Sequence, residues 1–238
     1  MKRAILLIIP LVFGQMAQAQ LPKADDILAT ARYVATLQNQ NLTGHLRKGD
    51  KKIPVGLFLM GEKIQFTFLS SKTGKYEPFE MRLKKDHYDL LEQKNGETVE
   101  FPQSKLGEAI EGTDVSYEDL AMHFLYWPKG QVIGDEKVKG QDCWKVRLQN
   151  PGKGGRYRLV YVWVHKKAGA LMQVVGYNGD NPAKALKRFL VNEIMKVGDA
   201  YTLREMRVSS FDPKTNTTVG LTYVEFDKPK KGAPKGVR

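Results

Sequence analysis

Cysteine is nearly missing from this chain, and that sets the first bound. Cys143 is the one cysteine among 238 residues, so no disulfide can close within the chain and stability has to come from burial. A lone thiol without a reactive motif around it reads as a small buried side chain. Glycine-rich phosphate loops, HExxH and paired CxxC are all missing, which removes the common nucleotide, zinc-protease and redox signatures. His45, His87 and His165 fall in separate predicted strands without cysteine or acid partners at ligand spacing, so no metal and no cofactor is expected. A bilayer-spanning helix needs ~20 apolar residues. The longest apolar run, residues 4–13, falls well short of that. Acid is scarce as well: 26 Asp and Glu stand against 38 Lys and Arg, a net charge of +12.

What is present begins with an export signature. Lys2 and Arg3 precede the apolar run, and Ala17-Gln18-Ala19 supplies a small-x-small end, which together read as a signal peptide over 1–19. Its removal takes two positive charges, leaving +10 on the remainder. A basic exported chain suits anionic lipid or a solvated surface better than nucleic acid, and no nucleic-acid partner is expected. The segment "DKPKKGAPKGVR", 227–238, carries two prolines and little apolar surface to bury, so it reads as a disordered basic tail. No linker or repeat divides 20–226, which reads as one domain.

Asp25 and Asp26 open a helix over 25–37, with Ile27, Leu28, Ala31, Val34 and Ala35 at helical spacing. The period then changes to two. Ile64, Phe66 and Phe68 share one face, as do Phe79, Met81 and Leu83, and the Asn-Gly of "KNGE" marks a hairpin. A weaker helix is expected near 102–110. "RYRLVYVWVH" puts Tyr157, Leu159, Tyr161 and Trp163 on one face and Val160, Val162 and Val164 on the other, the mark of a strand covered on both sides. "AKALKRFLVNEIMKV" has the composition of a helix.

"GTDVSYEDLAMHFLYWP" holds Ser116, Asp119 and His123 beside a dense apolar run. A catalytic triad is disfavoured, because Ser116 as a helix cap would lie about two turns, roughly 10 Å, from His123. The segment reads instead as a helix over 116–125, with a capping-box-like start and an Asp119–His123 pair at i, i+4 on its surface.

The motifs "VKGQDCWKVRL", "YRLVYVWVHKKAGALMQVVGY" and "YTLREMRVSSFDPKTNTTVGLTYVEF", preceded by "GTDVSYEDL", resemble in order and spacing the outer-membrane lipoprotein-sorting (LolA/LolB-like) family over roughly 112–226. The resemblance implies a mainly β (α+β) fold: a curved antiparallel sheet forming a half-open barrel, with helices covering the concave face. It also implies that "AKALKRFLVNEIMKV" is a strand, against its propensity. The function implied is a non-enzymatic, soluble periplasmic carrier that holds the acyl chains of a lipid or lipoprotein, exchanging with an inner-membrane transporter and an outer-membrane acceptor. The alternative is an adaptor or binding subunit of a membrane transporter.

Large, adaptable apolar side chains suit such a cavity. The candidates are Phe58, Phe66, Phe68, Phe79, Phe124, Trp127, Tyr161, Trp163, Leu171 and Met172. Arg156, Arg158, Lys166 and Lys167, at strand ends, are candidates for an anionic headgroup.

Overall fold

The period-two segments pair into one thirteen-stranded antiparallel sheet. The computed structural model describes residues 21–229 apart from Asn95 and Lys153. The expected signal peptide, the tip of the "KNGE" turn and most of the expected tail lie outside the described residues. Helix α1 (Ala24–Thr36) comes first, followed by β1 (Asn39–Lys48), β2 (Lys51–Met60), β3 (Lys63–Leu69), β4 (Tyr76–Leu83), β5 (Tyr88–Lys94) and β6 (Glu97–Glu100) as a meander. The short helix α2 (Tyr117–Ala121) lies in the segment 101–130. Beyond it run β7 (Gln131–Val138), β8 (Gln141–Gln149), β9 (Leu159–His165), β10 (Leu171–Tyr177), β11 (Ala185–Val197), β12 (Ala200–Phe211) and β13 (Thr218–Phe226).

The strand order is β6-β5-β4-β3-β2-β1-β13-β12-β11-β10-β9-β8-β7. The two meanders therefore join where β13 returns to pair with β1, Gly44 opposite Phe226 and Leu46 opposite Val224. Gly44 permits this seam: a Cβ there would sit 1.9 Å from the Glu225 carbonyl oxygen. The strands at the two ends of the sheet, β6 and β7, are the pair that residues 101–130 connect. That segment consequently has to cross the open side of the curled sheet, and it fills the hollow as it crosses.

One face of the sheet is mostly apolar. Leu42, Leu57, Phe79, Val146, Val162, Phe189, Val208 and Val224 are buried in one cluster with Leu28 of α1 and with Phe101, Ile110, Leu120 and Phe124 of the crossing segment. Burial of each such side chain contributes about 1.5–3 kcal/mol. Tyr117 joins segment to sheet by aromatic edges, its ring centroid 5.3 Å from Phe79 and 5.7 Å from Phe68.

The expected segment 102–110 is a 3-10 turn at Gln103–Lys105 followed by irregular chain, not a longer helix. The expected helix over 116–125 is broken: α2 ends after Ala121, Met122 is left-handed at φ 45°, and a 3-10 turn covers His123–Tyr126. The break re-aims Phe124 and Leu125 into the core. The sequence over 185–197, helical by composition, is strand β11, paired on one side to β10 and on the other to β12. Neighbours that satisfy its backbone override its propensity.

Candidate functional site

The hollow behind the crossing segment is the place where a ligand could meet apolar surface. Leu46, Val55, Phe66, Phe68, Ile110, Leu120, Val224 and Phe226 line a cavity of about 10 Å³ there. That is room for one water molecule, whereas sites for drug-sized ligands run from about 300 Å³. In this state the protein's own side chains occupy the hollow.

Polar ties hold the plug in place, and sequence reading missed most of them. Lys187 lies on the inner face of β11, two residues before the inward Phe189, and is 4% exposed. Its Nζ donates to Asp119 Oδ2 of α2. The same carboxylate accepts the Ser116 N–H at 2.8 Å and, through Oδ1, the Tyr157 hydroxyl at 2.5 Å. Burial beside this carboxylate raises the Tyr157 hydroxyl well above its ordinary range, which keeps it a proton donor. Gly176 makes room for that ring; a Cβ there would come within 2.4 Å of it.

Glu118, one residue earlier, is fully buried and accepts the Arg156 N–H at 3.0 Å on each oxygen. Desolvation pushes its carboxyl pKa up, opposed by the Arg156 and Tyr157 N–H groups. His123 Nε2 stands 3.7 Å from Glu118 Oε1. Burial pulls the imidazole down to about 4, against a smaller upward pull from Asp119. The expected surface pairing of Asp119 with His123 is therefore corrected: Asp119 is buried and His123 largely so, Asp119 is taken by Lys187 and Tyr157, and the acid beside His123 is Glu118. Engaged by a lysine and a tyrosine, Asp119 does not orient His123 as the acid of a Ser116–His123–Asp119 triad would.

Other ties join the segment to the sheet and to α1, among them Lys105 with Glu92 and Ser71 with Glu111. Asp114 accepts from Thr222 Oγ1 of β13 at 2.9 Å and pairs with Lys48 at 3.3 Å. Arg32 of α1 donates to the Leu125 carbonyl at 2.5 Å and lies 4.8 Å over the Tyr126 ring.

The predicted apolar residues separate by face. Phe68, Phe79, Phe124 and Trp127 belong to the inner cluster, with Phe66 and Leu171 packed against it. Tyr161, Trp163 and Met172 do not join them. They belong to a second cluster with Cys143, Leu159, Val175 and Tyr177 on the opposite face of the sheet. Lys145 covers that cluster, its Nζ 4.8 Å over Trp163 and 5.5 Å over Tyr161. This explains a strand apolar on both sides: long cationic stems roof the outer side of β9 where no helix does. Burial also raises the Cys143 thiol, as suits an unreactive core residue. Phe58 alternates with the inward Leu57 and Leu59 and so faces outward.

The four candidate headgroup cations do not converge. Arg156 and Arg158 precede β9, while Lys166 and Lys167 follow it, and a seven-residue strand separates the pairs by roughly 23 Å. Lys166 is moreover engaged with Asp135 at 2.6 Å and stacks 4.0 Å over Trp144. Lys187, Asp119 and Tyr157 were the legible miss. Alternation puts Lys187 on the apolar side of its strand, and a lysine there needs a buried acid.

A family model described as "Uncharacterized protein" matches residues 81–232. No curated protein matches the chain in sequence. Among solved structures, a LolA superfamily protein from Nitrosomonas europaea is similar at TM-score 0.60 and 13% identity, over 87% of this chain and 93% of that one. A domain assigned to outer membrane lipoprotein sorting from Vibrio parahaemolyticus is similar at TM-score 0.61 and 14% identity, over 89% and 95%. A DUF1329 family protein from Desulfovibrio piger is similar at TM-score 0.54 and 15% identity, over 89% and 93%. At these identities the likeness is one of fold.

Proposed function

Because this chain belongs to the family whose model spans residues 81–232, a family of LolA-like fold, we propose that it is an exported, non-enzymatic carrier that shields the acyl chains of a lipid or lipoprotein. One observation carries the reading. The inner face of the sheet is apolar apart from a few buried polar side chains such as Lys187 and Thr222, and it is covered by α1 and by a tied-down segment, 101–130, rather than by a second sheet. A segment fastened by a few side chains can leave; a core of interlocked strands cannot.

The packed state is the empty carrier. Cargo enters by displacing the segment and taking over its contacts with Phe66, Phe68, Phe79 and Val224. Each buried methylene contributes about 0.8 kcal/mol, so a long acyl chain can offset the loss of the segment's own packing. The closed form keeps the carrier from exposing this surface when unloaded, which would invite aggregation. The outer-face cluster of Tyr161, Trp163 and Met172 takes no part in holding cargo. Delivery between an inner-membrane donor and an outer-membrane acceptor belongs to the same reading, as does a periplasmic location. Among the described residues no helix is long and apolar enough to cross a membrane.

The test is extraction of the protein purified from its native host, followed by lipid mass spectrometry, with uptake of a fluorescent fatty acid by the delipidated chain. Recovered amphiphile and saturable uptake are expected. Their joint absence overturns the carrier reading.

A further inference from the structure

Strands β11 and β12 are 13 and 12 residues long, while their outer neighbours β10 and β13 have 7 and 9. Pairing to β10 stops at Leu190, opposite Gln173, and pairing to β13 begins at Glu205, opposite Glu225. Between those points the hairpin is paired only to itself, Ile194 with Leu203, Lys196 with Tyr201 and Val197 with Ala200. Among the described residues it has no strand partner on either edge there, while its inner side, with Met195 and Thr202, is buried against the core. Such an arm is a liability unless something uses it.

Its outer face carries Ile194 and Tyr201, each more than half exposed, with Lys196 beside them. The antiparallel order puts the β2–β3, β7–β8 and β9–β10 turns at the same rim. Helix α1 ends there too: the Gly61 N–H bonds to the Gln38 carbonyl at 3.2 Å, and Gly169 lies against Thr30 and Val34. That brings Tyr33, Leu37 and Met60, all exposed, to the rim. The rim is therefore apolar at its tips. It is also basic, since Lys139, Lys167 and Lys196 are exposed there and make no ion pair among the described residues, with Asp199 and Glu62 as opposing acids. Exposed apolar and tyrosine side chains within a basic rim match the interface of an anionic bilayer, where hydrocarbon lies just beneath negative headgroups.

We propose that this rim docks on anionic phospholipid membranes, with the tip of the β11–β12 hairpin entering the headgroup layer. The net charge, +12 and still +10 without residues 1–19, brings the chain to such a surface, and Ile194 and Tyr201 hold it there. The docking surface does not depend on the carrier reading, although it would give a carrier its point of contact with donor and acceptor membranes.

The test is co-sedimentation of the full chain with vesicles of phosphatidylcholine alone and of phosphatidylglycerol mixed with phosphatidylcholine. Binding to the anionic vesicles is expected, weakened by salt as exposed charges are screened. An I194S/Y201S variant is expected to bind them at least about tenfold more weakly, from the lost apolar transfer. A K139Q/K167Q/K196Q variant is expected to lose the preference for anionic lipid. Both variants change exposed side chains, so melting temperature and fatty-acid uptake are expected to stay at the parent values. That separates failure of docking from failure of the carrier. Equal binding to both vesicles, unchanged binding by I194S/Y201S, or a parent dimer that the same substitutions dissociate would overturn the proposal.

Discussion

His123 shows what burial does to a single ionisable side chain. Its ring packs against Trp127 at 5.4 Å between centroids and faces Glu118, with Asp119 also contributing charge. A depressed pKa of about 4 in the folded state, against 6.5 when unfolded, means the unfolded chain binds the extra proton first as pH falls. The stability associated with the neutral ring is complete above about pH 6.5 and is lost as pH falls toward 4. Between pH 7 and 5 the loss is about 2 kcal/mol, or roughly 4–8 °C in melting temperature for a chain of this size. Glu118 acts in the opposite sense, since a raised carboxyl pKa favours the folded state at acid pH. Melting curves at the two pH values should therefore show a clear loss in the parent and a smaller one in His123→Gln. An equal loss in both would show that His123 is not the titrating group. Sequence alone gave Asp119 and His123 an i, i+4 surface pairing, because helical spacing says which residues are near and not how deep they lie.

Among the elements, the strands other than β11, which has the composition of a helix, were legible and the crossing segment was not. Period two is a direct consequence of the pleat, so the faces of β3 and β4 could be read from Phe66, Phe68, Phe79 and Met81 alone. Helix α1 was legible to within a residue at each end, because Asp25 and Asp26 complement its positive terminus. Residues 101–130 have no period; their course is set by the distance between two sheet edges, a tertiary quantity. Nor could periodicity tell which face of β9 is inward. Both faces are apolar, and only the placement of α1 and the cationic roof of Lys145 decide it. The seam between β1 and β13 is likewise invisible until the sheet order is known. Gly44→Ala is expected to cost at least about 3 kcal/mol, since its methyl would overlap a carbonyl on the neighbouring strand and force the pair apart. Denaturant unfolding measures this; a cost below about 1 kcal/mol would mean the seam opens easily.

At the scale of the whole molecule, the question is how a filled hollow becomes an available one. The sheet is continuous from β6 to β7, so opening it would break strand pairing; moving 101–130 breaks packing and a handful of polar contacts. Among those contacts, Lys187 with Asp119 is the tie between the middle of the segment and the inner wall. Removing one partner of a buried ion pair leaves the other charge unpaired, at about 3–5 kcal/mol. Lys187→Met is expected to place that cost on the closed state, because displacement of the segment returns Asp119 to water. A 3 kcal/mol change corresponds to about a hundredfold more of the displaced form. Amide exchange should then speed up at Asp119, Leu120 and Met122, whose N–H groups bond within the α2 turn, while amides in β1 and β12 stay slow. Fatty-acid uptake should become faster in the same variant. Adding Asp119→Asn to it, which removes the stranded charge, should restore slow exchange in part. Acceleration spread evenly over sheet and segment would mean that segment and barrel unfold as one body, and that cargo cannot enter by this route.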